Sequence, residues 1–408
     1  MSLVEHRGRL SAISIKGRNS MLYIGIDIAK RSHTALALQD DRQRAWVDFE
    51  FANDRDGFES LQARIVAADD RVLVGLEATS IYWLPLFTFL TDHDVEVVVF
   101  NPLQIHAYRK SGIRKRKDDR IDAFWIADFM RVGNQQSARQ FAPDLMQLRE
   151  LTRFRTGLTN QIGSVKKQVI GILDRIFPEY ETLFSSVFIQ TSRHLLSEAV
   201  APADFAEFDL SELVAMLRSA SRGRFGEDKA AQIQTVAARS VGVAYLADAL
   251  RIQIRCLLAQ LELLEEQRAI LDDKIEQFMS HIEQHITSIP GIGPVTGAAI
   301  IAEIADINRF DSPTKLVAFA GIDPTVYQSG DFQATHTRMS KRGSPYLRHA
   351  LWQAASSSVR FDPQLKAYYQ KRRAEGKHHN VILGAVSRRL LNRIYVILKE
   401  NRPYEIRN

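Results

Sequence analysis

The sequence predicts a mixed α/β domain, then a long coiled-coil spacer, then a mostly helical C-terminal domain. Three observations carry that expectation. Two apolar, strand-like runs near the start lie too close together for a crossover helix, and strand and helix patterns alternate after them to about residue 140. Apolar residues then recur alternately three and four apart over two long stretches. Glycine-proline turns and apolar helical patterns fill the remainder. A chain of 408 residues exceeds one compact domain, so several units are expected.

Leu22–Ile28 and Thr34–Leu38 form the opening hairpin. Phe58–Ala68 reads as a helix, Arg71–Glu77 as a strand, Leu84–Asp92 as a helix, Val95–Phe100 as a strand, and Asp118–Arg131 as a helix. A hairpin followed by αβ repeats predicts a mixed sheet over 21–140. Residues 1–20 are basic and lack a signal-peptide core, so they read as a loose extension, with Met21 an alternative start. The next unit, 141–285, holds two heptad seams. One runs through Leu148, Leu151, Arg155, Leu158, Ile162, Val165, Val169, Ile172 and Ile176, the other through Leu250, Ile254, Leu257, Leu261, Leu264, Arg268, Leu271, Ile275, Phe278 and Ile282. These helices can pair as a hairpin or with a second subunit. A helical insert at about 178–242 is expected to cap their far end. The last unit, 286–400, opens on Pro290-Gly291-Ile292-Gly293-Pro294, a tight turn feeding a helix start. Such a turn presents free N–H groups, as in helix-hairpin-helix elements that grip a phosphodiester, which makes Gly291 and Gly293 candidate nucleic-acid contacts.

Composition excludes some functions. With 45% hydrophobic residues, 25% charged residues and no bilayer-length apolar run, no membrane role is expected. One cysteine, Cys256, excludes an intramolecular disulfide and a thiolate-built zinc site, and a reducing, cytoplasmic setting is expected. The net charge of +6 is bunched: Arg109, Lys110, Arg114, Lys115, Arg116, Lys117 and Arg120 form one run, and a second lies near the end of the chain. Runs of this kind are commonly solvated faces, but here they flank candidate chemistry and suit a polyanion.

The chemistry starts from Asp27, a carboxylate inside an apolar strand, on the face that also carries Tyr23 and Gly25. Burying it alone would cost several kcal/mol, so it needs a cation or metal. Glu77 repeats the pattern, an apolar strand with glycine two residues before the acid. We read the glycines as room for an ion or a nucleic-acid backbone. In Lys117-Asp118-Asp119-Arg120-Ile121-Asp122, either Asp119 and Asp122 or Asp118 and Asp122 share a helix face. Oxygen ligands without His or Cys suit Mg²⁺ or Mn²⁺, and two ions roughly 3.5–4 Å apart would clamp a phosphoryl transfer. The structural alternative is that these acids serve a helix dipole or end a strand. Ser329 alone would read as a turn serine.

The ordered set Gly25-Ile26-Asp27, Gly75-Leu76-Glu77, Lys117-Asp118-Asp119-Arg120-Ile121-Asp122, a helical spacer, Pro290-Gly291-Ile292-Gly293-Pro294 and Ser329-Gly330 resembles the DEDD-type insertion-sequence transposases of the one-ten family. The resemblance covers Met21 to about Lys399. It implies an RNase H-like (RuvC-like) catalytic domain joined through a coiled coil to a C-terminal transposase domain. It maps the acidic tetrad onto Asp27, Glu77, Asp119 and Asp122, against Asp118, which is a mild departure from the residue usual there. It implies Ser329 as nucleophile, forming a phosphoserine link to DNA. It further implies a homo-oligomer, dimer or tetramer, with composite sites, and target choice by an element-encoded bridge RNA. Ser340-Lys341-Arg342-Gly343 and Leu347-Arg348 match the family's pattern downstream of the serine. Ser340 is the second choice of nucleophile, and Lys341, Arg342 and Arg348 are phosphate contacts. The rival functions are a junction-cleaving, metal-dependent nuclease and a non-catalytic coiled-coil scaffold for nucleic acid.

Overall fold

A computed structural model describes residues 21–46, 48–78, 81–100, 102–110, 119–133, 143–325, 328–329, 332–333 and 338–406. The extension 1–20 and the basic residues Arg114, Lys115, Arg116 and Lys117 lie outside them. The chain divides into two compact units, Met1–Gln140 and Phe141–Asn408.

The first unit is built on a five-stranded sheet of order β3-β2-β1-β4-β5. β1 (Met21–Ile28) pairs antiparallel with β2 (Ser32–Leu38), which pairs antiparallel with β3 (Phe49–Ala52). On its other side β1 pairs parallel with β4 (Arg71–Glu77), and β4 pairs parallel with β5 (Val97–Phe100). The sheet is therefore mixed, as the short first connection demands, and its form is compatible with an RNase H-like DEDD transposase domain. β3 escaped the sequence reading because it is four residues long and largely exposed, leaving little alternation to detect. Two helices, α1 (Arg55–Ala68) and α2 (Trp83–Asp92), cover one face, where Phe58 packs against Phe89 and the buried His33. The other face takes α3 (Pro102–Lys110) and α4 (Asp119–Arg131), whose Ile105, Ala123, Ile126, Ala127 and Met130 close a core with Tyr23, Leu36, Leu73 and Phe100.

Gly25 and Gly75 are needed for that second face. A Cβ on Gly25 would fall on the Ala123 carbonyl oxygen and within 2.5 Å of the Ala127 nitrogen, and one on Gly75 would lie 2.6 Å from the Met130 sulfur. The two glycines face each other in register across β1 and β4. Their function is to admit α4 against the sheet, which corrects the expectation that they make room for an ion or a nucleic-acid backbone.

In the second unit α5 (Pro143–Ile176) and α10 (Ala247–His281) pair side by side and antiparallel, each about 50 Å long. The apolar members of the first seam turn inward: Leu158, Ile162 and Val165 meet Leu261 and Leu264. Arg155, the polar member of that seam, pairs with Asp272 across the helices. At one end, α6 (Gln190–Glu198), α7 (Pro202–Glu207), α8 (Leu210–Ser221) and α9 (Glu227–Ala238) close a core over Val169, Ile172, Ile176, Leu250 and Ile254. At the other end Leu148, Ile275 and Met279 join the core of α11 (Pro294–Ile304), α12 (Pro313–Ala320), α13 (Pro345–Phe361), α14 (Pro363–Ala374) and α15 (His379–Glu400).

Glu265 of α10 ties three helices together. It accepts both arms of the Arg193 fork at 2.6 and 3.0 Å and lies 3.0 Å from the Lys166 ammonium. The Arg193 hydrogen bonds lead in holding its carboxyl down at about 2. Because the folded value lies below the unfolded one near 4.5, this stabilisation is complete above the unfolded value and vanishes as pH falls toward about 2. Glu265→Gln is expected to lower stability by about 2 kcal/mol at neutral pH. Thermal melts of both proteins should converge as the pH approaches 2.

Candidate active site

The first unit brings three of its four candidate acids to one side of the sheet. Asp27 and Glu77 each follow by two residues the glycines that are paired in register, so they leave neighbouring strands side by side on the α4 face. Asp27 and Glu77 are both half-buried. The Arg131 end of α4 is close enough to Tyr23, near the start of β1, to influence its hydroxyl, so α4 runs against β1 and its acidic first turn comes to the carboxylate end of the strands. Asp119 opens that helix, and the side chains of Asp119 and Arg120 lie outside the described residues.

Glu77 and Asp122 feel each other directly. Burial pushes the Glu77 carboxyl up, the Asp122 charge pushes it further, and the Arg109 guanidinium pulls it back. Arg109, from the last turn of α3, makes an ion pair with Asp122, both side chains being about one-quarter exposed at 26% and 22%. Sequence reasoning counted Arg109 only as part of a basic run. Its partner lies thirteen positions away on another helix, a separation that leaves no periodic signal. One residue earlier, the Tyr108 hydroxyl donates to Asp128 at 3.0 Å. Asp128 is buried and also accepts from Arg42 and Arg131, so this acid of α4 is a structural anchor.

Among the described residues no three His, Cys, Asp or Glu side chains stand close enough together to hold an ion. Asp27, Glu77 and Asp122 offer only carboxylate oxygens, a donor chemistry that suits a hard divalent cation, and the Asp122 charge adds to burial in raising the Glu77 carboxyl.

In the second unit, Ser329 lies in β6 (Gln328–Ser329), which pairs antiparallel with β7 (Phe332–Gln333). The Ser329 side chain and His336 are outside the described residues. This short ribbon rises from a stapled base. Thr325 N–H and hydroxyl donate to the Arg338 carbonyl at 2.7 and 2.9 Å, Ser340 N–H donates to the Asp323 carbonyl at 2.9 Å, and the Ser340 hydroxyl donates to the Asp323 carboxylate. Below the staple Gly321 adopts φ +66°, and a Cβ there would lie 2.7 Å from the Gly343 nitrogen, so the two ends of the arm touch.

The basic candidates divide by role. Lys341, at φ +53°, and Arg342 are exposed. Arg348 is half-buried and its guanidinium donates to the Ala320 carbonyl at the end of α12, 3.2 Å away, a helix-terminal contact. Gly291, at φ +93°, presses on α13, where a Cβ would lie 2.6 Å from the Ser358 nitrogen. Gly293 caps α11 with nothing near its Cβ position, leaving an open approach to the helix start. A further network was invisible in the sequence: buried Glu303 of α11 accepts from Arg153 at 2.6 Å and from the Ser344 hydroxyl at 2.7 Å, with Arg149 beside it. It locks the start of α13 to α5.

Comparison with known proteins matches residues 24–178 to the DEDD transposase model of the IS110 type and residues 283–370 to the transposase family IS116/IS110/IS902. The chain belongs to this IS110-type transposase family. The first match contains Asp27, Glu77, Asp119 and Asp122, and the second contains Ser329, Lys341, Arg342 and Arg348. Similarity to individual members runs almost end to end. The "Insertion element IS110 uncharacterized 43.6 kDa protein" of Streptomyces coelicolor is 25% identical over 95% of this chain and 96% of its own length. The "Pilin gene-inverting protein" of Moraxella bovis is 25% identical over 95% of this chain and 99% of its own length. The "Transposase for insertion sequence element IS1111A" of Coxiella burnetii is 35% identical over a shorter stretch, 19% of this chain and 21% of its own. As an IS110-type transposase the chain is a DNA transposase/recombinase, and the DEDD family model points to divalent-metal chemistry. Among the described residues no helix is long and apolar enough to cross a membrane.

Proposed function

We propose that this transposase cuts and rejoins the strands of a mobile element through a phosphoserine-DNA intermediate, using Asp27, Glu77, Asp119 and Asp122 with Ser329. The observation that carries the acidic half is the closeness of Glu77 and Asp122 on the sheet face shared with Asp27. When bound, Mg²⁺ or Mn²⁺, as one or two ions, supplies charge stabilisation for the scissile phosphate. The carboxylates hold that charge in place and orient the phosphate between them. The Ser329 oxygen attacks phosphorus as its hydroxyl proton leaves to a carboxylate or to solvent. One Oγ–P bond forms, one P–O bond to the neighbouring deoxyribose breaks, and the departing oxygen takes up a proton. The reverse step, with a new strand end as nucleophile, restores the serine.

Lys341 and Arg342, exposed beside the stapled base of the Ser329 arm, are our proposed phosphate contacts. Arg348, Gly291 and Gly293 are kept as proposed phosphate contacts, with the open helix start at Gly293 the most accessible of the three. Arg114, Lys115, Arg116, Lys117 and Arg120 complete the proposed basic surface. The paired α5 and α10 serve as the coiled-coil spacer, the working enzyme is a dimer or tetramer, and a bridge RNA selects the target. The end-to-end similarity to a protein whose name records gene inversion supports strand exchange over simple hydrolysis.

The test is mass spectrometry for a DNA adduct on Ser329 after incubation with cognate DNA, Mg²⁺ and co-purified RNA. Wild-type protein should carry it and Ser329→Ala should not, with strand exchange lost. Cutting by Ser329→Ala at the wild-type rate would mark a hydrolytic nuclease instead. No metal-dependent cutting by either protein would mark a scaffold.

A further inference from the structure

We propose that Arg109 is a built-in counter-cation of the acidic site, paired with Asp122 in the metal-free enzyme and displaced from it when a divalent ion enters. The inference rests on reading Asp27, Glu77 and Asp122 as metal-holding acids. It is carried by the geometry of α3. The helix is anchored to α4 through Tyr108, whose hydroxyl reaches the buried Asp128, while the next side chain, Arg109, is directed to Asp122, about one and a half turns nearer the start of α4. The anchor and the counter-charge are thus separate bonds. When Arg109 leaves Asp122, α3 stays held by Tyr108.

Electrostatics favours both states. Without metal, Glu77 and Asp122 repel, and the guanidinium offsets that repulsion for both carboxylates. A divalent ion carries twice the charge and binds carboxylate oxygens directly, so it competes with Arg109 for the Asp122 carboxylate, whose Oδ1 the guanidinium contacts. The pair is about one-quarter exposed, so an ion entering from solvent can reach it. Released Arg109 remains at the edge of the site, where a phosphodiester would bring new negative charge.

The experiment is calorimetric titration of MnCl₂ into the full-length, DNA-free protein, with thermal melts in EDTA and in saturating Mn²⁺. Arg109→Gln is expected to bind Mn²⁺ roughly tenfold more tightly than wild type, with Arg109→Lys falling between because lysine keeps the charge but loses the planar fork. In EDTA, Arg109→Gln should melt below wild type, and Mn²⁺ should close that gap. A purely structural arginine would leave the same gap in both buffers. Binding by Arg109→Gln that is equal to or weaker than wild type, or a gap that Mn²⁺ does not narrow, overturns the inference while leaving the acidic site standing. If Arg109→Gln does not fold, unchanged or weaker binding by Arg109→Lys overturns it. Failure of wild type and Arg109→Gln alike to bind Mn²⁺ would overturn the metal-site reading, and the inference with it.

Discussion

Asp27→Asn should cut no DNA: strand cleavage is expected to fall by about a thousandfold or more while the protein stays folded. Asp27 stands half-buried near the end of the central strand, next to Glu77 and facing the first turn of α4. Asparagine keeps its shape and one acceptor but removes the charge that would hold a cation against a phosphate. The strand itself is secured by Leu22, Ile24 and Ile26, all buried, and by pairing on both sides. Melting temperatures in EDTA should therefore match within a degree or two, and gel assays in Mg²⁺ should show loss of cleavage. Wild-type cutting by Asp27→Asn would remove this acid from the site.

The second large effect is expected from the smallest change. Gly25→Ala puts one methyl group against the backbone of α4, at the Ala123 carbonyl and the Ala127 nitrogen. Neither is the end of a flexible side chain, so the helix must lift off the sheet. We expect a loss of about 4 kcal/mol or more, a large share of the stability of a domain of this size. Because α4 carries Asp119 and Asp122, cleavage should fail along with folding. Gly157→Ala is the matched control: it lies within α5 with nothing near its Cβ position, and alanine there should stabilise by about 0.5–1 kcal/mol. Circular dichroism melts of the two variants separate a glycine required by packing from one that is merely tolerated.

How much was legible in the sequence depends on range. Short apolar runs exposed β1, β2, β4 and β5, which lie between two helix layers, and a period of three and a half residues exposed the two long helices, each of which buries one stripe. The apolar positions of the two heptad patterns are buried where α5 and α10 pack against each other within the chain. Asp27 and Glu77 drew notice as candidates because a charge in an apolar strand violates its surroundings. Their neighbours gave no such signal. Arg109 with Asp122, Arg153 with Glu303 and Ser340 with Asp323 join residues thirteen, 150 and seventeen positions apart, and only the fold brings them together. α3 was missed because it is short, begins at a proline and ends in a basic run that reads equally well as loop. The glycines were located correctly and explained wrongly, because a missing side chain does not say whether an ion or a helix fills the space.

The antiparallel pairing of α5 and α10 makes the second unit a ruler with a fixed origin. Pro143 and His281 stand at the same end, beside the core that contains α11 and α13, and the α6–α9 cap stands at the other. Adding or deleting one heptad in both helices at once would shift the cap by about 10 Å and leave both chain ends where they are. The distance between cap and helical body is therefore a length that can be changed without rewiring the fold.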